Sequence, residues 1–313
     1  MGRRSPTDGG RIKRDGVEPS DKQFSLLDFE EPPLERSRVK LRPLKHPIWT
    51  ENKAKLIARY LFYFELITKH GTYIDGFAGP QDPSHLDAWA ARLVLEMEPR
   101  WFRNFFLCDA GTEQFEALKE LRDAQPPRKN GEPKRTVRIY HNDFNIIVGD
   151  ILSSGMIKET EATFCLLDQR TFECKWATVE RLARHKQNGN KIELFYFLCA
   201  WWFGRAFQAT MNEAVLADWW GRADWAKVGE MKDRERADTI CDRLRNELGY
   251  KHALAWPIYS KANGGRIAYY MIHASDHDEA PKLMHRAYRF AVIKKETAEQ
   301  LGFAFDDTAG GAA

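Results

Sequence analysis

Five short apolar runs, each followed by a helix-patterned stretch, restrict the fold of this chain more than any other feature. They are TYI at 72–74, NFFLCD at 104–109, TVRIYHND at 136–143, ATFCLLD at 162–168 and KIELFYFLCAW at 191–201. Apolar runs of this length, bounded by turn residues and separated by amphipathic segments, predict strands alternating with helices. Strands that read as almost unbroken apolar residues are buried on both faces, the condition of a mainly parallel sheet covered by helices. Two later runs, HALAWPIYS at 252–260 and GRIAYYMIHAS at 265–275, flank the turn sequence KANGG and predict a hairpin. The expected fold is α/β: a doubly wound, Rossmann-like, mainly parallel sheet of about seven strands, closed by a C-terminal antiparallel hairpin and carrying a helical insertion.

The helices follow from the same pattern. Thr50 is placed to cap a helix whose apolar residues recur from Leu56 to Ile67, and Gly71 stops it. LDAWAARLVLEM (86–97), GTEQFEALKELRDA (111–124) with Thr112 as a candidate cap, and WATVERLARHKQ (176–187) read as helices, and FNIIVGDILSSG (144–155) leads into another. Residues 205–247 show no strand pattern and read as two or three helices, and DEAPKLMHRAYRFAV (278–292) closes the chain, with Asp276 as cap and Pro281 in the first turn. The expected organisation is a disordered basic tail over 1–45, a core over 46–204, the insertion over 205–248, strands and a helix completing the core over 249–301, and a flexible end over 302–313.

Composition excludes several classes. The longest apolar run, LFYFLCAWWF at 194–203, falls short of the roughly 20 residues that cross a bilayer. The N-terminal MGRRSPTDGGRIKRDG lacks the apolar stretch of a secretory signal, so a cytoplasmic protein is expected. Five widely spaced cysteines, with no C-x-x-C pair, predict reduced thiols. A net charge of +3 does not by itself demand a nucleic-acid partner, but RSRVKLRPLK (36–45) and RKNGEPKRTVR (128–138) each hold five basic residues. These are either solvated segments or phosphate contacts.

The chemistry-bearing residues gather at strand ends. In a doubly wound sheet, ligands bind at the carboxyl edge near the switch in strand order. Asp75, Asp109, Asp143 and Asp168 all fall there, and the turn after the first strand, YIDGFAGPQDP at 73–83, supplies the small residues a closely approaching cofactor needs in Gly76, Ala78 and Gly79. A parallel sheet finished by a hairpin is the profile of class I methyltransferases, and the G-x-G-x-x-G spacing of nicotinamide enzymes is absent. In such a sheet Asp109 is suited to ribose hydroxyls, Asp143 to an adenine amino group, and Asp168 to the reacting substrate. A single Asp at such a junction more often caps the next helix, but the four together with the glycine turn favour a cofactor site.

The segments YIDGFAGP, LLDQRTFECKWATVERLA, WWGRADW and YYMIHASDHDEAPKLMHRAY resemble the three-Cys-motif partner protein (TcmP) family, over about Lys53 to Tyr288. The resemblance implies a class I S-adenosylmethionine-dependent methyltransferase fold, S-adenosylmethionine as donor, and a three-cysteine, radical-SAM-like protein as partner. It does not supply a substrate. The family's first motif falls on Asp75, Gly76, Phe77, Ala78, Gly79 and Pro80; Gln81 stands where a glycine is usual, and Gln169 where a proline often follows the fourth-strand acid.

These departures shape the expected reaction. No cysteine follows a proline, which disfavours cytosine-C5 methylation, and Cys174, on the loop after Asp168 with Lys175 to lower its pKa, is either a nucleophile or, more often for such a thiol, a bystander. Nitrogen or oxygen methylation depends on orientation and on removing one proton, for which Asp168 or Glu173 is the candidate base and Arg170 the candidate anchor of an anionic substrate. Arg205 follows the fifth strand, where it either reaches the same edge or covers the strand end. Trp219, Trp220 and Trp225 suit a buried helix corner better than a stacking platform, and His273 with His277 leaves a strand for a turn, so no metal site is expected. The expected function is methyl transfer to nucleic acid or a nucleotide-derived substrate, and the alternative is a non-catalytic adaptor on the same fold that binds a protein partner or nucleic acid.

Overall fold

The structure, a computed structural model, describes residues 48–49, 53–82, 85–261 and 264–292. The expected N-terminal tail, its basic segment 36–45, the Thr50 cap, the tip of the KANGG turn and the C-terminal end lie outside these residues.

Strands alternate with helices as the apolar pattern requires. The strands are β1 (Ile48–Trp49), β2 (Gly71–Asp75), β3 (Phe102–Asp109), β4 (Thr136–His141), β5 (Thr163–Leu167), β6 (Glu193–Cys199), β7 (His252–Lys261) and β8 (Gly264–Ser275). They form one sheet in the order β1-β7-β8-β6-β5-β2-β3-β4. The two-residue β1, pairing in parallel with Ile258 and Tyr259, is one strand more than the sequence pattern suggests. From β4 to β6 every pairing is parallel, and β8 is antiparallel to both β6 and β7. The predicted hairpin is thus present, with its second strand next to β6.

The helices are α1 (Lys53–Thr68), α2 (Ala90–Glu96), α3 (Thr112–Asp123), α4 (Phe144–Leu152), α5 (Trp176–Arg184), α6 (Phe203–Ala209), α7 (Glu213–Trp220), α8 (Asp233–Asn246) and α9 (Ala280–Val292). They cover two faces because successive strand residues point opposite ways. In β6, Phe195 and Phe197 enter the core built with Leu56, Leu61, Val94, Leu118 and Met284 of α1, α2, α3 and α9. Leu194, Tyr196 and Leu198 enter the core built with Val148, Val179, Phe203, Trp219 and Ile240 of α4 to α8. Residues 205–248 therefore bury their apolar side against the same sheet. Trp219 and Trp220 are core residues, and Trp225 packs at its edge.

Two caps differ from expectation. Thr112 is the first helical residue of α3, and Gly111 is the N-cap. Asp276 does not cap α9: its carboxylate accepts the backbone N–H groups of Lys191 and Lys251, while His277 Nδ1 accepts the N–H of Glu279. At the end of α7, Gly221 adopts φ +71°, and a Cβ there would lie 2.5 Å from that of Trp176. Only glycine both turns the chain and admits that ring.

Candidate functional site

The chain runs β2, β3, β4 outward and then returns to β5 on the other flank of β2. This is the topological switch, and a ligand cleft is expected at the carboxyl ends of β2 and β5. A cleft of about 510 Å³ lies there, within the range of small-molecule sites. Asp75, Phe77, Ala78, Gly79, Pro80, Gln81 and Asp168 contribute to its lining, together with residues that the sequence did not single out: Lys53, Trp89, Trp202 and Tyr269.

The loop after β2 is fixed at almost every residue. Asp75 is buried, its Oδ2 accepting the Tyr73 hydroxyl at 2.8 Å and its Oδ1 the N–H of Phe77 at 3.1 Å. Burial raises its pKa to about 7, and the nearby Asp168 and Asp109 push the same way. Gly76 N–H donates to Leu166 and Ala78 N–H to Cys108, while the Trp89 indole donates to the Ala78 carbonyl at 2.6 Å. Gly79 N–H donates to Asp109 Oδ2 and Gly111 N–H to Asp109 Oδ1, each at 2.9 Å. The two motif glycines are small because of protein neighbours: a Cβ on Gly76 would lie 2.7 Å from the Phe144 ring, and one on Gly79 would lie 2.2 Å from Gln114 Cβ.

The opposite wall carries an ion pair. Lys53, the first residue of α1, places its ammonium 2.7 and 2.8 Å from the two oxygens of Asp168. The same ammonium lies 4.9 Å from the centre of the Phe197 ring and 5.1 Å from that of Tyr269. A cation at a helix N-terminus opposes the helix dipole, so Lys53 depends on these partners. That mismatch was the one sequence signal that could have revealed it. Trp202 stands edge-on to Tyr269 at 4.8 Å and closes this side.

The other candidate residues are placed differently. Asp109 and Asp143 do not line the cleft. Asp143 is the N-cap of α4, its Oδ1 accepting the N–H of Asn145 at 2.8 Å. Glu173 and Arg170 are exposed on the loop after β5 and also lie outside the lining, Glu173 bonding the N–H of Thr171. Gln169 explains why that loop departs from a proline pattern. It is buried, its Oε1 accepts the N–H of Cys174 at 2.9 Å, and its Nε2 donates to the Phe197 carbonyl at 3.3 Å. The loop is thereby stapled to β6. Cys174 is fully buried and its thiol is pushed far up by desolvation, which removes it as a nucleophile. Arg205 is exposed on α6. His273 bonds Glu193, and among the described residues no group of His, Cys, Asp and Glu could hold a metal ion.

In the basic segment 128–138, Arg135 donates to the Leu95 carbonyl and packs over Phe105, and Lys129 pairs with Glu98. Arg128, Lys134 and Arg138 remain on the surface near the outer strand β4. Among the described residues no helix is long and apolar enough to cross a membrane.

No family model matches the chain, and no curated protein matches it. Among solved structures it is similar to a DUF574 family protein from Streptomyces avermitilis MA-4680, with 14% identity and a TM-score of 0.42, covering 72% of this chain and 83% of that one. It is also similar to protein LPL1258 of Legionella pneumophila Philadelphia 1, of family-model DUF519, with 9% identity and a TM-score of 0.43, covering 78% and 91%. Likeness this distant carries nothing about activity. The methyltransferase-like fold rests on the strand order and the antiparallel β8.

The cleft and its rim fit the donor that this fold implies. An ionised carboxylate offers about four lone-pair sites, and Asp109 uses two on backbone N–H groups, leaving the others for hydroxyls. Asp143 Oδ2 takes no hydrogen bond among the described residues.

Proposed function

We propose that this protein is an S-adenosylmethionine-dependent methyltransferase acting on nucleic acid or a nucleotide-derived substrate. The observation that carries the reading is the cleft at the β2/β5 switch, with a pinned small-residue loop on one wall and the Lys53–Asp168 pair on the other. Asp75, Gly76, Phe77, Ala78 and Gly79 frame the methionine end of the donor, Asp109 takes the ribose hydroxyls, and Asp143 takes the adenine amino group. When bound, the donor supplies a methyl group activated by its sulfonium charge. Asp168 accepts a hydrogen bond from the acceptor's N–H or O–H and takes the proton that leaves, and Lys53 fixes the orientation of that carboxylate. Arg170 and Glu173 act at the outer rim, where an anionic substrate enters. The sequence resemblance described above supports a three-cysteine, radical-SAM-like protein as partner.

Calorimetry with S-adenosylmethionine and S-adenosylhomocysteine tests the reading. Binding that weakens at least tenfold in Asp109→Ala is expected. No binding by the wild type, or equal binding by the variant, counts against it.

A second reading has its own support. Both oxygens of Asp109 already hold backbone N–H groups, and Gln114 packs tightly on Gly79, so the protein itself takes up part of the edge where the donor's ribose would lie. On this reading the chain is an adaptor that binds a protein or nucleic acid without donor. Transfer of a radiolabelled methyl group to any RNA or nucleotide fraction excludes it.

A further inference from the structure

A second cavity, of about 600 Å³, lies at the opposite edge of the sheet, where β5 and β6 begin and β8 ends. α1 reaches both sites: Lys53 stands at the cleft and Thr68, roughly 22 Å along the helix, at this cavity. Its floor is a built polar cluster. Glu193, a buried residue, accepts hydrogen bonds at Oε1 from Tyr60 and from His273 at 2.9 Å, and at Oε2 from Ser275 at 2.7 Å. The Tyr60 ring meets that of His273 edge-on at 4.8 Å. Phe64, Ile67 and Leu283 supply an apolar side.

The facing wall is not satisfied. His70 Nδ1 and Glu161 Oε2 approach to 3.5 Å, yet His70 Nδ1 and Glu161 Oε1 are both buried without a hydrogen-bond partner. Buried polar atoms are nearly always paired, so the unpartnered Glu161 Oε1, on a residue lining this cavity, marks a place for a ligand's donor. The neighbouring charges do not supply the partner. Glu159 is committed to the N–H groups of Gln187 and Asn188, Lys186 donates to the Glu161 backbone carbonyl, and Lys191 pairs with Asp276. Three carboxylates (Glu159, Glu161, Glu193) line this space against two lysines, Lys186 and Lys191, of which Lys191 is paired with Asp276. What is missing is a donor.

We propose that this cavity is a second ligand site, for a small planar amidine or guanidine carried on an apolar body, with Glu161 as the recognising carboxylate. The two parallel N–H groups of such a cation match the two oxygens of a carboxylate. His70 Nδ1, 3.5 Å from Glu161 Oε2, stands beside this carboxylate on the same wall. The apolar body packs between Phe64 and Leu283. The proposal makes no use of the methyl-transfer reading and stands or falls separately from it.

Benzamidine is the probe, titrated by calorimetry into the full chain, with benzoate as the anion of matching shape. Saturable binding of benzamidine and none of benzoate is expected, weakened about tenfold or more by Glu161→Gln. Leu283→Trp, which fills the apolar side, is expected to abolish it, and Asp168→Asn in the other cleft to leave it unchanged. Thermal unfolding establishes that each variant is folded. Should Glu161→Gln fail to fold, Leu283→Trp and the benzoate comparison still decide. Absence of saturable binding, equal binding of benzoate, or wild-type affinity in a folded Glu161→Gln or Leu283→Trp protein overturns the proposal.

Discussion

Replacing Lys53 by methionine isolates the ion pair of the cleft. The substitution keeps most of the packed volume and removes the ammonium that lies within 2.8 Å of both Asp168 oxygens. Loss of one partner of a buried pair costs about 3–5 kcal/mol, because the other charge stays desolvated. The cleft admits water, so the lower part of that range applies, and removing a cation from a helix N-terminus returns about 0.5 kcal/mol. Two aromatic contacts to the ammonium add about 0.5–1 kcal/mol each to the loss. The net expectation is about 4 kcal/mol, or a fall in Tm of about 8–16 °C for a domain of this size. Asp168→Asn alone strands the ammonium and costs less, since two rings still face it. In the double variant no charge is buried, and stability returns to within about 1 kcal/mol of the wild type. Urea unfolding of the four proteins closes the cycle, with a coupling of at least about 3 kcal/mol expected. A Lys53→Met protein as stable as the wild type, or single effects that simply add, would refute the argument.

Three other outcomes follow from the geometry. Gly79→Ala places a Cβ 2.2 Å from that of Gln114 and should cost about 1–3 kcal/mol, with part recovered in Gly79→Ala/Gln114→Gly; chemical denaturation checks it, and a neutral Gly79→Ala would mean that the loop is not pinned. Asp75 has its pKa raised from 3.8 to about 7, so the folded state holds a proton that the unfolded state releases between these values. Stability supplied by this group is complete below about pH 4 and is lost as pH rises through 7, so Asp75→Asn should flatten the pH dependence of unfolding over that window, and an unchanged slope would exclude the assignment. All five cysteines are buried free thiols, so an aromatic disulfide reagent should label none in native buffer and five in denaturant; one fast thiol, Cys174 above all, would reopen covalent chemistry.

The strands were legible because burial on both faces leaves runs such as LFYFLC, which no amphipathic helix can carry. The hairpin was legible from its turn letters, but its placement beside β6 follows from the crossover and not from any local pattern. Asp75 and Asp168 end neighbouring strands and meet at the cleft, as their register at the strand ends suggests. Lys53, Trp89, Trp202 and Tyr269 converge from four elements far apart in sequence, and apart from the cation at the start of α1 a single sequence offers no signal of such a meeting. The Glu193 cluster was hidden for the same reason: Tyr60, Glu193, His273 and Ser275 each look ordinary until α1, β6 and β8 bring them together.

The place of β8 bears on how this chain can be made and cut. β6 is buried along its whole length, yet the neighbour that covers its second edge begins 65 residues later, Gly264 after Cys199. A growing chain that has released β6 therefore carries an apolar strand with an unpaired edge until the hairpin emerges, the kind of edge that recruits other chains. Any fragment ending before the hairpin keeps that edge open permanently. Cutting the chain before Gly264 removes β8, the seam that joins β6 to β7, and such fragments should aggregate where the full chain stays dispersed.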